Sequence, residues 1–435
     1  MQTYAPTLSM PSFRLLVALA SKFGLDLNSI DIVTAFLYGN LDTPIYMELP
    51  DGFMLDDKSK ENFSGFKDPV LLLSQTIYGL KQSAYAFHKH LTDNLKAWGF
   101  KQCYTDPCLL VKNIGTRKMI VGLYVDNFII AHESRNDLNW LFERIGKVYK
   151  FHDEGPLTWT LGLEISRGDN GKYSIGQQKY LQKLKEKFLS KSVKVTTPIQ
   201  NVPLDFAEDS PLVDSTRYKS LLGALLYVAL ATRPDVAFTC SRLAQFSENP
   251  REIHWDQAIR CLHYLINTID CKLNYNKDSD FSGYADASFA ICKRDGKSVT
   301  GYVLSYAGAP VIWRSFKQSV VATSTGVAEY MALSPLCKEV VYATQLCEEL
   351  GFKKVPKPVI IFDDSEPAIA IAMGRTLSNK SRSIRLSHHN VRDAVVNNLI
   401  DLRKVSGKTN PADILTKPLS KNGTSKYASI FFKQK

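Results

Sequence analysis

Several carboxylates in this 435-residue chain stand beside apolar, strand-like runs, where divalent-cation chemistry would need them. Asp31 lies in LNSIDIVTAFLYGNL, ahead of Ile32, Val33 and Phe36. Asp126 and Asn127 lie in MIVGLYVDNFIIA, between two β-rich apolar runs, the pattern of a tight hairpin with both residues near its turn. Two carboxylates brought together from separate strands suit phosphoryl transfer by paired metal ions held about 3.5–4 Å apart. Asp and Asn are also the ordinary residues of hairpin turns, so on pattern alone the plain turn is the favoured reading.

A second set lies further along. FSGYADASFA reads as a strand carrying Asp286, and SVTGYVLSYAGAPVIWRSF as two further β-runs. A long helix then puts Leu333, Leu336, Val340, Ala343, Leu346 and Leu350 on one face, with Glu329 near its start. PVIIFDDSEPAIAIAM is a buried strand ending at Asp363 and Asp364 before another helix. LIDLRKV is a last strand, and in NPADILTK Asp413 opens a terminal helix. Carboxylates at one strand's middle, one helix's first turns, another strand's end and a last helix's start can converge on one point. Taken singly, Glu329 is a first-turn acid and Asp413 a helix cap.

The elements that must position these acids fill two or three domains. Composition changes at the Pro- and Asp-rich stretch TTPIQNVPLDFAEDSP (196–211) and again at 274–280, which places domain edges near 198 and 278. Between them, Leu221, Leu222, Leu225 and Leu226, then Ile259, Leu262, Leu265 and Ile266, mark helices. Near the start, Phe13 to Leu27 has helical spacing but carries Arg14, Lys22 and Asp26; it reads as an amphipathic core helix, not a membrane span or signal peptide. With 45% hydrophobic and 22% charged residues, the composition excludes a disordered or membrane-embedded chain. Eight cysteines form no C-x-x-C pair and match no zinc spacing, so reduced, buried thiols are expected. The net charge is +11, and the stretch from Met373 onward holds thirteen Lys and Arg against three Asp, a basic face suited to a polyanion.

The chain resembles, nearly end to end, the reverse transcriptase and ribonuclease H region of Ty1/copia-type retrotransposon Pol polyproteins. The blocks that carry the resemblance are YAP (4–6), DIVTAFLYGNL (31–41), IYMELPDGF (45–53), IYGLKQS (77–83), WGFKQCYTDPCLL (98–110), LYVDN (123–127), LGLEI (161–165) and TRPD (232–235). They continue with GYADASFA (283–290), GKSVTGYV (296–303), TSTGVAEYMAL (323–333), DDSEPAIAIA (363–372) and NPADILTKPL (410–419). The implied fold class is α+β and α/β. It comprises a palm with partial fingers over 1–198, a helical thumb or connection over 199–278 and an RNase H-like α/β domain over 279–435.

The resemblance also implies roles. Asp31 and Asp126 match polymerase metal ligands, Phe36 the bulky residue that excludes a 2′-OH, and Gln82 a contact to template and incoming nucleotide. Asp286, Glu329, Asp364 and Asp413 match the RNase H metal ligands. Asp364 is preferred over Asp363 because Ala368-Ile369 lie four and five positions after it, as they do after the family's aspartate. His389 matches a family histidine ahead of Arg392-Asp393, with either a product-release role or a plain helical one. Mg2+ or Mn2+, two ions per site, is the implied cofactor. RNA template, DNA, RNA–DNA hybrid and dNTP are the implied partners, with a dimer or other Pol segments as further ones and no membrane. A virus-like particle in the cytoplasm, or the nucleus, is the implied location, with no secretory route.

Four departures temper these implications. Asn127 stands where the family has a second hairpin aspartate, and an amide brings no charge to a cation. The chain begins almost at YAP, so the family's preceding basic fingers segment is expected to be missing. Pro335 falls inside the Glu329 helix, where an interior proline costs around 3 kcal/mol and should kink or break it. Asp364-Ser365-Glu366-Pro367 departs from the family's Asp-Asn-Gln-small run. The expectation is impaired polymerisation beside an intact RNase H site, with a catalytically inactive or co-opted nucleic-acid-binding remnant as the alternative.

Overall fold

Helix α1 (Met10–Phe23) is opened by Ser9, whose hydroxyl accepts the Ser12 N–H, and closed by Gly24 at φ 75°. It is the expected core helix, shorter than the run to Leu27, and every residue from Ser12 to Ser21 is buried. Arg14 is buried with it, donating from Nε to Val311 O at 2.7 Å and lying 3.9 Å over the Trp313 ring. The computed structural model describes residues 3–52, 70–352, 356–374 and 390–432. His389 lies outside the described residues.

The chain divides into two units, Met1–Leu8 with Asp26–Pro156, and Ser9–Leu25 with Leu157–Lys435. In the first, a six-stranded sheet runs in the order β4 (Lys101–Gln102), β5 (Leu109–Ile114), β6 (Arg117–Tyr124), β7 (Asn127–His132), β1 (Asp26–Ile32), β8 (Phe151–Pro156). Every pairing in it is antiparallel. Leu27, Ile30, Ile120, Val121, Phe128 and Ile130 are buried along its central strands. A small ribbon pairs β2 (Tyr46–Glu48) with β3 (Val70–Leu72), and helices α2 (Ser83–Ala97) and α3 (Arg135–Gly146) complete the unit.

The edges expected near 198 and 278 both fall inside the second unit. Strands β9 (Trp159–Thr160), β10 (Leu163–Arg167) and β11 (Tyr173–Gly176) form one sheet with β12 (Leu273–Asn274), which ties residues before 198 to residues just before 278. Helices α4 (Gln178–Phe188), α5 (Ser215–Ala231), α6 (Ala237–Ala244) and α7 (Glu252–Asn267) lie between these strands in sequence. In the TRPD block, Arg233 grips Asp235 through Nε and Nη2 at 2.9 and 2.7 Å, and Tyr264 donates to the same carboxylate at 2.8 Å. That block staples buried helices.

A five-stranded sheet follows: β15 (Ala309–Lys317), β14 (Lys297–Tyr306), β13 (Ser282–Cys292), β16 (Val359–Asp363), β17 (Ile400–Lys404). The first three are antiparallel, and β16 and β17 run parallel to β13. Helix α8 (Thr325–Glu349) packs on β13 and β14, with α9 (Glu366–Ala372) and α10 (Asn390–Val396) against it. Helix α11 (Lys421–Phe431) closes the chain. Antiparallel hairpins followed by parallel crossovers, in the order 3-2-1-4-5, give the RNase H-like α/β arrangement that the resemblance implied.

Two local expectations change. Pro335 does not break α8, which runs unbroken over 25 residues. Next to it the Asn390 side chain donates to Ser334 O at 3.0 Å and accepts from Ser334 Oγ at 2.8 Å, bracing the helix at the proline. Asp413 does not open the terminal helix; it sits in a short 3-10 turn, Pro411–Leu415, and α11 begins only at Lys421. The α-helix is deferred past Pro418, whose ring lacks the N–H and restricts the residue before it. All described cysteines are free, and Cys271 is the least buried of them. Among the described residues no helix is long and apolar enough to cross a membrane.

Candidate active sites

In the first unit, β6 and β7 are joined by Val125 and Asp126 alone, so Asp126 is at the turn and Asn127 is the first residue of β7. Val125 is held at φ 58°, a left-handed conformation that costs a β-branched residue about 1–3 kcal/mol. Register places Asn127 across from Asp31, while Ile32 N–H bonds to Asp126 O at 3.0 Å. Asp31 and Asp126 are therefore neighbours at one strand end. Burial pushes the Asp31 carboxyl up, and Asp126 and Glu154 push in the same direction.

Asn127 turns toward this pair: its Nδ2 donates to Asp126 Oδ1 at 3.2 Å. The amide thus takes one acceptor position on Asp126 Oδ1. On the other side of β1, His152 pairs with Asp31, and the register shift between Ser29 and Ile30 leaves Glu154 as the extra residue of a β-bulge. Such bulges re-aim side chains beside sites. Glu154 was not singled out from the sequence, and nothing in its local pattern marked it.

Phe36 lies in the 3-10 turn Ala35–Tyr38, with its ring 4.8 Å from that of Tyr78 and 6.4 Å from that of Phe87. Gln82 is the residue that precedes α2, with no side-chain cap bond of its own. Both are partly exposed.

In the second unit the structure brings Asp286, Glu329 and Asp364 together. One carboxylate oxygen from each lies within 4.8 Å of the others. Among the described residues, no group of three or more such ligand side chains forms around Asp31 and Asp126. Asp286 comes from the middle of β13, Glu329 from the second turn of α8, and Asp364 from the residue after β16.

Small residues clear the way. Gly301 is the cross-strand partner of Asp286, and a Cβ there would lie 2.6 Å from Leu415 Cβ and 2.7 Å from Thr416 Cγ2. The 3-10 turn bearing Asp413 can therefore rest on the sheet. Asn410 fixes that turn by donating from Nδ2 to Ala285 O at 2.7 Å, and Thr416 Oγ1 donates to Asp286 Oδ2. A Cβ on Gly407 would fall 2.7 Å from Asp364 Oδ2, so glycine leaves that oxygen unobstructed. Ser365 caps α9 by accepting the Ala368 N–H at 3.3 Å, with Pro367 in its first turn. The departure from the family's usual run thus starts the helix soundly.

Charge in this cluster is frustrated. Burial, then Asp286, Asp363 and Asp364, push the Glu329 carboxyl up to about 10. Burial raises Asp286 to about 6 against the pull of Lys417, with Asp413 adding to the rise. Asp363 is fully buried, accepts the Ser365 N–H at 2.7 Å, and is pushed up to about 8, chiefly by burial. Asp364 is also raised, by burial and then by Asp413. Glu329 Oε2 is buried with no hydrogen-bond partner among the described residues. Crowded acids and an orphaned buried oxygen fit a divalent cation, whose charge would let them ionise together.

Lys417 and Thr416, which the sequence reading passed over, belong to the same cluster. The i, i+4 spacing of Asp413 and Lys417 was the available signal.

Comparisons with known proteins agree with these observations. The family model described as reverse transcriptase (RNA-dependent DNA polymerase) matches residues 1–201. The Pol polyprotein from transposon TNT 1-94 of Nicotiana tabacum is 31% identical over 432 residues, covering 97% of this chain and 32% of the relative. The Pol polyprotein from transposon RE1 of Arabidopsis thaliana is 29% identical over 432 residues, covering 98% and 29%. The transposon Ty5-1 protein of Saccharomyces cerevisiae is 32% identical over 316 residues, covering 72% of this chain and all of that protein.

Among solved structures, LC11 RNase H1 in complex with RNA/DNA hybrid aligns at 18% identity and a TM-score of 0.25, covering 32% of this chain and 94% of that one. RNase H1 from Halobacterium salinarum aligns at 19% and 0.23, covering 32% and 95%. The fold of the second unit rests on its own strand order rather than on these overlays. The chain spans about a third of the length of the plant Pol polyproteins it matches. It belongs to the reverse transcriptase family of Ty1/copia-type retrotransposon Pol polyproteins, with an RNase H-like fold in its second unit.

Proposed function

We propose that the chain cleaves the RNA strand of RNA–DNA hybrids in its second unit and that DNA polymerisation in its first unit is impaired. The observation that carries this reading is the meeting of Asp286, Glu329 and Asp364 within 4.8 Å, with Asp413 beside them. These four carboxylates would hold two Mg2+ or Mn2+ ions. When bound, such a pair supplies activation of water and stabilisation of the leaving 3′-oxygen.

The chain's own side chains do the positioning. Thr416 fixes one oxygen of Asp286, the α8 backbone aims Glu329 at the cluster, and Gly407 keeps Asp364 clear. Selectivity for RNA would come from contacts to the 2′-OH and from hybrid shape, not from base edges. Hybrid, RNA template and DNA are the proposed partners, with dNTP added only where polymerisation survives.

Cleavage of a labelled RNA–DNA hybrid by the full chain in Mg2+ tests the reading. Cutting by the parent and not by Asp286→Asn is expected. Equal cutting by both proteins overturns the assignment. Hybrid binding without cutting by either protein leaves the second reading, a nucleic-acid-binding remnant, which Asn127 favours by its contact with Asp126. In that case affinity should fall steeply with salt, because phosphates would dominate the contact.

A further inference from the structure

The second unit's acidic cluster already holds a cation of its own. Lys417 Nζ lies 2.7 Å from Asp413 Oδ1 and 3.9 Å from Asp286 Oδ2. The lysine side chain is 38% exposed while Asp286 is 3% exposed, so the ammonium reaches inward from a half-wet position. Its placement is set by the fold. It follows the Pro411–Leu415 turn, which Asn410 pins to β13, and the preceding residue, Thr416, is bonded to the same Asp286 oxygen that Lys417 approaches.

The cluster therefore has two unlike faces. On one, Asp286, Glu329 and Asp364 crowd together, and the buried Glu329 Oε2 has no hydrogen-bond partner among the described residues. On the other, Asp286 and Asp413 share an ammonium. We propose that Lys417 is a tethered stand-in for a divalent ion. The site then takes one cation readily at Asp286, Glu329 and Asp364, and a second only by displacing Lys417 from Asp413. This rests on the two-ion reading above and sharpens it: the ions load unequally, and Lys417 sets the difference.

The physical reason is direct. An ammonium is a compact point charge on a flexible stem, able to sit where an ion would and to swing away toward water. A second cation must break the Lys417–Asp413 ion pair and leave that ammonium beside it, a cost the first cation does not meet in full. Lys417 is thus a positioning residue acting through Asp413, with no contact to substrate invoked.

Mn2+ titration of the full chain, read by electron paramagnetic resonance, tests this. Ions lost in Asp286→Asn are assigned to the cluster, which separates them from any held near Asp31. The wild type should lose one tightly held ion in that variant. Lys417→Met should bind the second ion at least about tenfold more tightly than the wild type does. Equal second-ion affinity in wild type and Lys417→Met overturns the role of Lys417 and leaves the two-ion reading standing. An unchanged ion count in Asp286→Asn overturns the cation reading of the cluster and the proposal with it. Thermal melting verifies that each variant is folded, and Lys417→Gln replaces Lys417→Met if the latter is not.

Discussion

The two acidic sites of this chain start from similar material, strands ending in aspartates, and differ in how the fold treats the charge. In the second unit, acids from β13, α8 and β16 are forced together and buried until Glu329 is pushed up to about 10 and Asp286 to about 6. In the first unit, Asp31 is raised more simply, by burial and by Asp126 and Glu154, and the neighbour across the ladder is a neutral amide that bonds Asp126. One site is strained by excess negative charge and fits a cation. The other sets a neutral amide opposite Asp31, and that amide hydrogen-bonds Asp126. Asn127 holds that place in regular antiparallel register with β1 and β6.

The sharpest way to break this comparison is to remove charge from the strained site. Asp286→Asn should lower hybrid cleavage by about a hundredfold or more, since even groups supporting metal ligands cost ten- to a hundredfold when lost. Steady-state cleavage of a labelled hybrid measures it. A loss of less than about threefold would place the chemistry elsewhere.

Restoring charge to the relieved site is the converse. Asn127→Asp should free Asp126 Oδ1 and add a carboxylate facing Asp31, raising Mn2+ affinity there by about tenfold, because charge count tunes such sites. Binding measured in an Asp286→Asn background isolates this site. Unchanged affinity would show that Asn127 is not what weakens it, and Glu154 on its bulge would become the next residue to vary.

Much of this contrast was legible in the residues, and what was not has physical causes. Strands were clear wherever apolar alternation met Gly or Pro, as in β13 to β15, and the blocks around Asp31, Asp126 and Asp286 carried the family. The core placement of helix α1 was legible, but not the burial of Arg14, which takes carbonyls and Trp313 as partners. The break expected at Pro335 ignored a side chain 55 residues away in sequence that braces the turn. Lys417 and Glu154 escaped notice because their roles exist only after β13 and the 3-10 turn, or β1 and the β8 bulge, are assembled. Local pattern reports what a segment prefers; it does not report which charges the fold will press together.

The frustration itself should be visible in stability. Asp286, Glu329 and Asp363 have folded-state values near 6, 10 and 8, above the ordinary carboxylate range of about 4. Groups raised in this way favour the fold fully below their unfolded value, and that contribution is lost as pH climbs through the folded values. Without divalent ions, the second unit should therefore lose stability from about pH 4 toward about pH 10. Mg2+ or Mn2+ should offset the loss, so the ion-dependent rise in melting temperature should be small near pH 5 and grow to several degrees near pH 8. A rise that is flat with pH would mean that the ions bind elsewhere.

The smallest effect concerns the scaffold that aims Glu329. Pro335 has no N–H to give Met331 O, yet α8 continues, and Asn390 holds both the carbonyl and the hydroxyl of Ser334 just ahead of the ring. If that brace offsets the proline, Asn390→Ala should cost about 1 kcal/mol in the natural chain, the usual worth of such bonds. The same change should cost clearly less in a Pro335→Ala background, where the helix no longer needs support. A double-mutant cycle on urea unfolding of the second unit gives the coupling. Equal costs in both backgrounds would make Asn390 an ordinary packing contact. The helix that carries Glu329 would then tolerate its proline through burial alone, as much of α8 is buried on β13 and β14.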